Sequence, residues 1–292
     1  MTWGDAILSK QRRPSSATLR ARPESSWILR MASASEAGLP LLLKSLCLPT
    51  FAREYAAVAA QAVRGGLSHE GYLLALAEQE ASERCERRVE RLLQESKLPR
   101  EKSLACFDVG RLPPKARAAL ATLQDGSFLD QATNLIVFGN PGTGKSHLVC
   151  GLGQELVRGG RPVLFSPTYQ IVQRLLCAKR DLRLAAELKR LDRFEALILD
   201  DLGYVEQSRE EMEVLFTLIA ERYERRSVLI TSNLVFSKWD QIFKDPMTTA
   251  AAVDRIVHHS VILELSIESY RAQAAKQRAA RPGPRGMSPE VE

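Results

Sequence analysis

Gly139-Asn-Pro-Gly-Thr-Gly144-Lys145-Ser146 is the stretch whose reading decides the fold. The apolar run Leu135-Ile-Val-Phe138 precedes it directly, and a helical pattern over residues 147–157 follows. Strand, glycine loop and helix in that order can cradle phosphates. The glycines let successive backbone N–H groups converge on an anion without side-chain clash. The lysine then reaches the β- and γ-phosphates, and the serine hydroxyl can ligate Mg²⁺. The helix that opens at Lys145 adds the positive end of its dipole. The nucleotide-binding set expected here is therefore Gly139, Asn140, Pro141, Gly142, Thr143, Gly144, Lys145, Ser146 and His147.

Splitting a bound triphosphate requires carboxylates at the end of a second strand. Ala196-Leu-Ile-Leu199 reads as a strand buried on both faces, and Asp200 and Asp201 follow it. Asp200 is expected to hold Mg²⁺ with Ser146, and Asp201 to orient or deprotonate the attacking water, because both tasks need hard oxygen acceptors. A third strand, Ser227-Val-Leu-Ile-Thr231, ends in Ser232-Asn233. An amide at that tip can contact the γ-phosphate and the water, although Asn is also a common turn residue. A fourth strand, Val261-Ile-Leu-Glu-Leu265, follows the polar segment Asp254-Arg255-Ile-Val-His-His259. Strand–helix alternation over about residues 134–265 predicts a doubly wound parallel sheet with ligands at the C-terminal strand ends.

Together the Gly139–Ser146 loop, the Leu199-Asp-Asp-Leu-Gly203 run, Thr231-Ser-Asn-Leu234 and Asp254-Arg255 resemble the AAA+ ATPases of the helicase-loader and initiator clade. Leu48-Pro-Thr-Phe-Ala-Arg-Glu-Tyr55, Gln173-Arg-Leu-Leu-Cys-Ala-Lys-Arg-Asp-Leu182, Trp239 and Glu268-Ser-Tyr-Arg271 narrow the resemblance to the IstB family, helper ATPases of bacterial transposons. The likeness covers roughly residues 39–271. It implies an AAA+ P-loop domain over residues 126–271 behind a small all-α N-terminal domain over residues 39–98, with residues 99–125 as linker and lead-in. It also implies a sensor role for Asn233, on a strand between the phosphate-loop and Asp200 strands. Arg255 takes the part of an arginine finger that reaches a neighbouring subunit's γ-phosphate, so hydrolysis should depend on assembly. An ion pair with Asp254 or Glu264 is the structural alternative for Arg255, and Arg271 is the second finger candidate. Too few residues follow Arg271 for the helical lid that many AAA+ proteins carry. Asp201 stands where AAA+ proteins at large carry Glu, a departure that the loader clade shares and that suits slow basal turnover.

The function implied is an ATP- and Mg²⁺-dependent, cytoplasmic ATPase. It would assemble as a homo-oligomer on double-stranded DNA and deliver that DNA to a partner transposase. A helicase loader of the DnaC kind is the alternative within the class. A non-hydrolysing, nucleotide-gated DNA clamp is the alternative outside it.

Composition is compatible with this. The 292 residues suggest two domains, and the balance of 45% hydrophobic and 26% charged residues is that of a globular protein. No stretch approaches the roughly 20 apolar residues of a membrane span. Five cysteines without paired spacing argue against a zinc site or a disulfide frame. His258 and His259 are expected to point apart, as neighbours on a strand-like segment do. The net charge of +6 points to polyanionic partners. Residues 166–194 carry seven basic residues (Arg174, Lys179, Arg180, Arg183, Lys189, Arg190, Arg193) against three acidic ones (Asp181, Glu187, Asp192). Lys179, Arg180 and Arg183 are the expected DNA contacts, with an exposed, self-paired helix as the plain alternative.

In the N-terminal region, residues 51–63 read as one helix closed by Gly65-Gly66, and Ser68 as the N-cap of a longer helix. Its apolar stripe is Leu73, Leu76, Cys85, Val89 and Leu92. Arg84, Arg87, Arg88 and Arg91 line another face, either solvated through i,i+4 partners or facing DNA or a transposase. Residues 1–38 read as a basic, disordered extension, with Met31 as an alternative start and a transit peptide as the other reading. Residues 272–292 read as a disordered tail.

Overall fold

The computed structural model describes residues 38–203, 208–239, 242, 245–267 and 269–270. The expectations for residues 1–37, Met31, Glu268, Arg271 and the C-terminal tail lie outside these. The chain divides into two compact units between Glu83 and Arg84.

The first unit holds α1 (Gly38–Ser45), α2 (Pro49–Gly65) and the start of α3 (His69–Ser96). Proline opens α2, where its missing N–H costs nothing, and Gly66 closes it in the left-handed conformation at φ 63°. The carboxylate of buried Glu80 accepts the Thr50 N–H at 2.9 Å, placing negative charge at the α2 N-terminus. Ser68 caps α3 as expected, its hydroxyl accepting the Gly71 N–H at 3.1 Å. The apolar stripe is only partly buried: Leu76 and Leu92 are covered, whereas Leu73 and Cys85 are exposed. Periodicity marks the face of a helix; it does not show where a neighbour stops covering it.

The second unit is built on five parallel strands, β1 (Asn134–Gly139), β2 (Val163–Pro167), β3 (Ala196–Leu202), β4 (Ser227–Ser232) and β5 (Ser260–Leu265), in the order β2-β3-β4-β1-β5. Around them lie α4 (Pro114–Leu123), α5 (Lys145–Arg158), α6 (Thr168–Arg180), α7 (Leu184–Leu191), α8 (Arg209–Arg222) and α9 (Pro246–Val257). Alternate residues feed two cores. Ile136, Phe138, Leu197 and Leu199 join α6 and α8 on one face, and Leu135, Val137 and Ile198 join α4 and α5 on the other. Burial on both faces explains the unbroken apolar strands. The doubly wound parallel fold is as expected, with β4 between β1 and β3.

Residues 99–125 are more than a connector. Phe107, Leu112, Leu120 and Leu123 are buried in the α5-side core, and the Gln154 side chain donates to the Pro99 carbonyl at 2.8 Å. Their prolines and mixed charge resembled a linker, but the buried apolar residues between them are what anchor the segment. Asn134 ties the end of α9 to the sheet: its Nδ2 donates to the Ile256 carbonyl at 3.0 Å and its Oδ1 accepts the Val228 N–H at 2.8 Å.

Candidate nucleotide site

The glycine loop closes β1 and opens α5. Gly142 and Gly144 sit at φ 84° and 88°, in the left-handed region where a side chain is strained. A Cβ on Gly144 would also lie 2.9 Å from the Phe107 ring. Thr143 is buried, its hydroxyl donating to the Asn140 carbonyl at 2.9 Å. The Lys145 ammonium, itself largely buried, donates to the carbonyls of Gly139 at 2.8 Å and Asn140 at 3.0 Å, and to Oδ1 of Asn233.

A cavity of about 400 Å³ opens over this loop. Pro141, Gly142, Gly144, Lys145, Ser146 and His147 line it from the loop side, while Gly139, Asn140 and Thr143 build the loop without lining it. Asp201 and Asn233 enter from the tips of β3 and β4. The far wall is Lys102, Cys106, Phe107, Asp108 and Tyr270, all outside the loop and strand-tip motifs. Tyr270 is bound to the loop through its N–H, 2.9 Å from the Gly142 carbonyl, and Arg111 stacks 4.0 Å over its ring. His147 and Phe107 lie 5.4 Å apart, and the His147 Nε2 is 2.9 Å from the Ser103 carbonyl. The Tyr270 signal was present in the Ser-Tyr-Arg signature; Phe107 carried none.

The two aspartates part company at a bulge. Leu199 pairs with Ile230 and Leu202 with Ser232, so Asp200 and Asp201 together face the single residue Thr231. Asp201 adopts φ 57° and turns to the cavity, whereas Asp200 is buried behind it. The Thr231 hydroxyl donates to Asp200 Oδ1 at 2.6 Å and accepts the Asp201 N–H at 2.9 Å. Thr168 holds the Asp200 carbonyl at 2.9 Å. The donors that Ser146 and Asp200 offer are oxygen only, and Asp200 keeps a second carboxylate oxygen beyond the one bound to Thr231. That set suits a hard divalent cation.

Other expected residues lie elsewhere. Arg255 is on α9, outside the cavity lining, with Nη1 donating to the Ala251 carbonyl at 2.9 Å and its guanidinium 5.1 Å over the Phe216 ring. Neither Asp254 nor Glu264 forms an ion pair with it. On α6, Lys179 pairs with Glu213 of α8 at 2.8 Å and Arg180 approaches Glu210 at 4.0 Å. Arg183, at the turn into α7, makes no ion pair among the described residues. His258 and His259 do not point apart: their rings lie 4.2 Å from each other, because they occupy the turn that ends α9 and not a strand. With Glu224 they form an exposed cluster in which Nδ1 of His258 meets the Tyr223 hydroxyl at 2.9 Å. No disulfide forms among the described residues, and burial pushes the Cys150 thiol up to about 12.

A five-stranded parallel sheet carrying this loop, the β3 carboxylates and the asparagine that follows β4 defines the AAA+ P-loop fold. The fold is shared with AMPPCP-bound DnaA from Aquifex aeolicus, 17% identical over 62% of this chain and 55% of that one, with a TM-score of 0.50. The family described as IstB-like ATP binding protein matches residues 41–279, and the chain belongs to that family. An insertion sequence ATP-binding protein of Sinorhizobium fredii is 44% identical over 85% of this chain and 84% of its own length. The corresponding protein of the insertion sequence IS21 of Pseudomonas aeruginosa is 34% identical over 82% and 90%. Among the described residues no helix is long and apolar enough to cross a membrane.

Proposed function

We propose that this ATP-binding protein hydrolyses ATP in the cytoplasm while assembled on double-stranded DNA, and passes that DNA to the transposase of an insertion sequence. The observation that carries the reading is the meeting of Lys145, Asn233 and Asp201 at one cavity over the glycine loop. In this reading the loop N–H groups and Lys145 hold the β- and γ-phosphates. The aromatic wall of Phe107 and Tyr270 takes the base, since a flat apolar surface suits a purine. Asp201, facing the cavity, accepts a proton from or orients the attacking water, and Asn233 bridges that water and the γ-phosphate. Ser146 and Asp200 would hold Mg²⁺, which neutralises developing phosphate charge when bound.

Arg255 serves the neighbouring protomer, because it lies apart from its own chain's cavity, half-buried in the last turn of α9. The relatives' names favour transposition over helicase loading, and the net charge of +6 suits a polyanionic partner. Phosphate release, measured with and without duplex DNA, tests the enzyme reading, and DNA-stimulated turnover is the expected result. No release under any condition would leave the nucleotide-gated clamp. Electron microscopy of the protein with DNA and a non-hydrolysable ATP analogue tests the assembly.

A further inference from the structure

We infer that Thr231 is a positioning residue for both carboxylates, the link through which the β4 tip sets the metal-side and water-side groups together. The inference rests on the ATPase reading above and deepens it. Thr231 is fully buried in the middle of the sheet, and the two residues before it, Leu229 and Ile230, are apolar core. A valine of the same shape would fill that position. The hydroxyl instead spends both its capacities on the bulge. Its one proton goes to Asp200 Oδ1 at 2.6 Å, and it accepts the Asp201 N–H at 2.9 Å.

The first bond fixes the rotation of the Asp200 carboxylate and so aims its second oxygen. The second holds the Asp201 backbone at φ 57°, a left-handed conformation that an aspartate adopts only at some cost. That conformation turns the Asp201 side chain to the cavity. Ser232 repeats the support one residue on, its hydroxyl donating to the Leu202 carbonyl at 2.8 Å. Asn233, the residue that follows β4, bonds Lys145. Consecutive residues of one strand tip thus grip the two aspartates, the strand beyond the bulge and the phosphate-loop lysine. Displacement of that tip would move all of them together.

The test uses the full chain as Thr231→Val and Thr231→Ser. Affinity for a fluorescent ATP analogue is titrated in EDTA and then against rising Mg²⁺, and phosphate release and thermal stability are measured alongside. Valine keeps the shape and loses the hydroxyl, so binding in EDTA should stay near that of the wild type. The Mg²⁺ needed for half-saturation should rise by about ten-fold and turnover should fall by up to about a hundred-fold, the range found when a group behind a metal ligand is removed. Serine, which restores the hydroxyl, should recover most of both. An unchanged Mg²⁺ dependence in Thr231→Val overturns the inference. So does an equal loss in both variants that tracks a fall in melting temperature, because packing alone would then explain Thr231. If the wild type itself releases no phosphate, the hydrolysis reading fails, and the Mg²⁺ dependence of binding still decides the role of Thr231.

Discussion

The Nζ of Lys145, at the start of α5, is hydrogen bonded to Oδ1 of Asn233, at the tip of β4. The bond joins the phosphate loop to a residue 88 positions away in sequence, just beyond the strand that carries Thr231. With the carbonyls of Gly139 and Asn140 it satisfies the ammonium before any phosphate arrives. In the proposed reaction, nucleotide draws the lysine away from these oxygen partners and leaves the amide of Asn233 for the γ-phosphate.

Lys145→Ala should abolish nucleotide binding, because nothing else among the cavity-lining loop side chains carries a fixed positive charge. Asp201→Asn should keep ATP and DNA binding and lose turnover, since the amide cannot accept a proton. Equilibrium binding of a fluorescent analogue beside a phosphate-release assay separates the two. Wild-type turnover in Asp201→Asn would remove that residue from the mechanism.

Within the α6–α7 charge island, Arg183 should matter more per residue than Lys179 or Arg180. Those two must first give up Glu213 and Glu210, whereas Arg183 has no ion pair to break among the described residues. Arg183→Ala should lower the slope of log affinity against log salt by about one unit, similarly on unrelated DNA sequences, because phosphates carry no sequence information. Lys179→Ala with Arg180→Ala should change it by less than two. Unaltered slopes would move the DNA surface to the arginines of α3.

An arginine finger acts in trans, so Arg255→Ala protomers should bind ATP normally and hydrolyse poorly. Mixing them with Lys145→Ala protomers should restore activity, because some interfaces then pair an intact loop with an intact finger. A finger is worth on the order of 10³ to 10⁵ in rate, which makes partial rescue measurable in the presence of DNA. Full activity of Arg255→Ala alone would end the assignment.

Cys106 lines the cavity and is exposed, while Cys150 lies buried with its thiol raised to about 12. At neutral pH Cys150 stays protonated and covered, so a maleimide should label the exposed cysteines and spare it until the protein unfolds. Bound ATP should slow labelling at Cys106 alone. Peptide mapping after timed labelling reads this directly, and equal labelling with and without ATP would place the nucleotide away from the Cys106 wall.

Local chemistry made much of this molecule legible in advance. The glycines of the loop, the apolar runs of β1, β3 and β4, the proline and glycine at the ends of α2 and the Ser68 cap each depend on a few neighbouring residues. The two-sided burial of a parallel sheet leaves its mark on every strand. What only the tertiary structure decided involves residues far apart in the chain. Phe107 and Tyr270 form one wall because the lead-in segment packs beside α5 and the chain returns past β5. Lys179 and Arg180 face acidic partners on α8, which no composition window could show. His258 and His259 share a face because α9 ends in a turn there. The separation of Asp200 from Asp201 comes from the register of β3 against β4, where one threonine hydroxyl answers two residues. Adjacent carboxylates look alike in a sequence; the bulge gives them different surroundings, because strand pairing, unlike helix or turn formation, is set by contacts between distant segments.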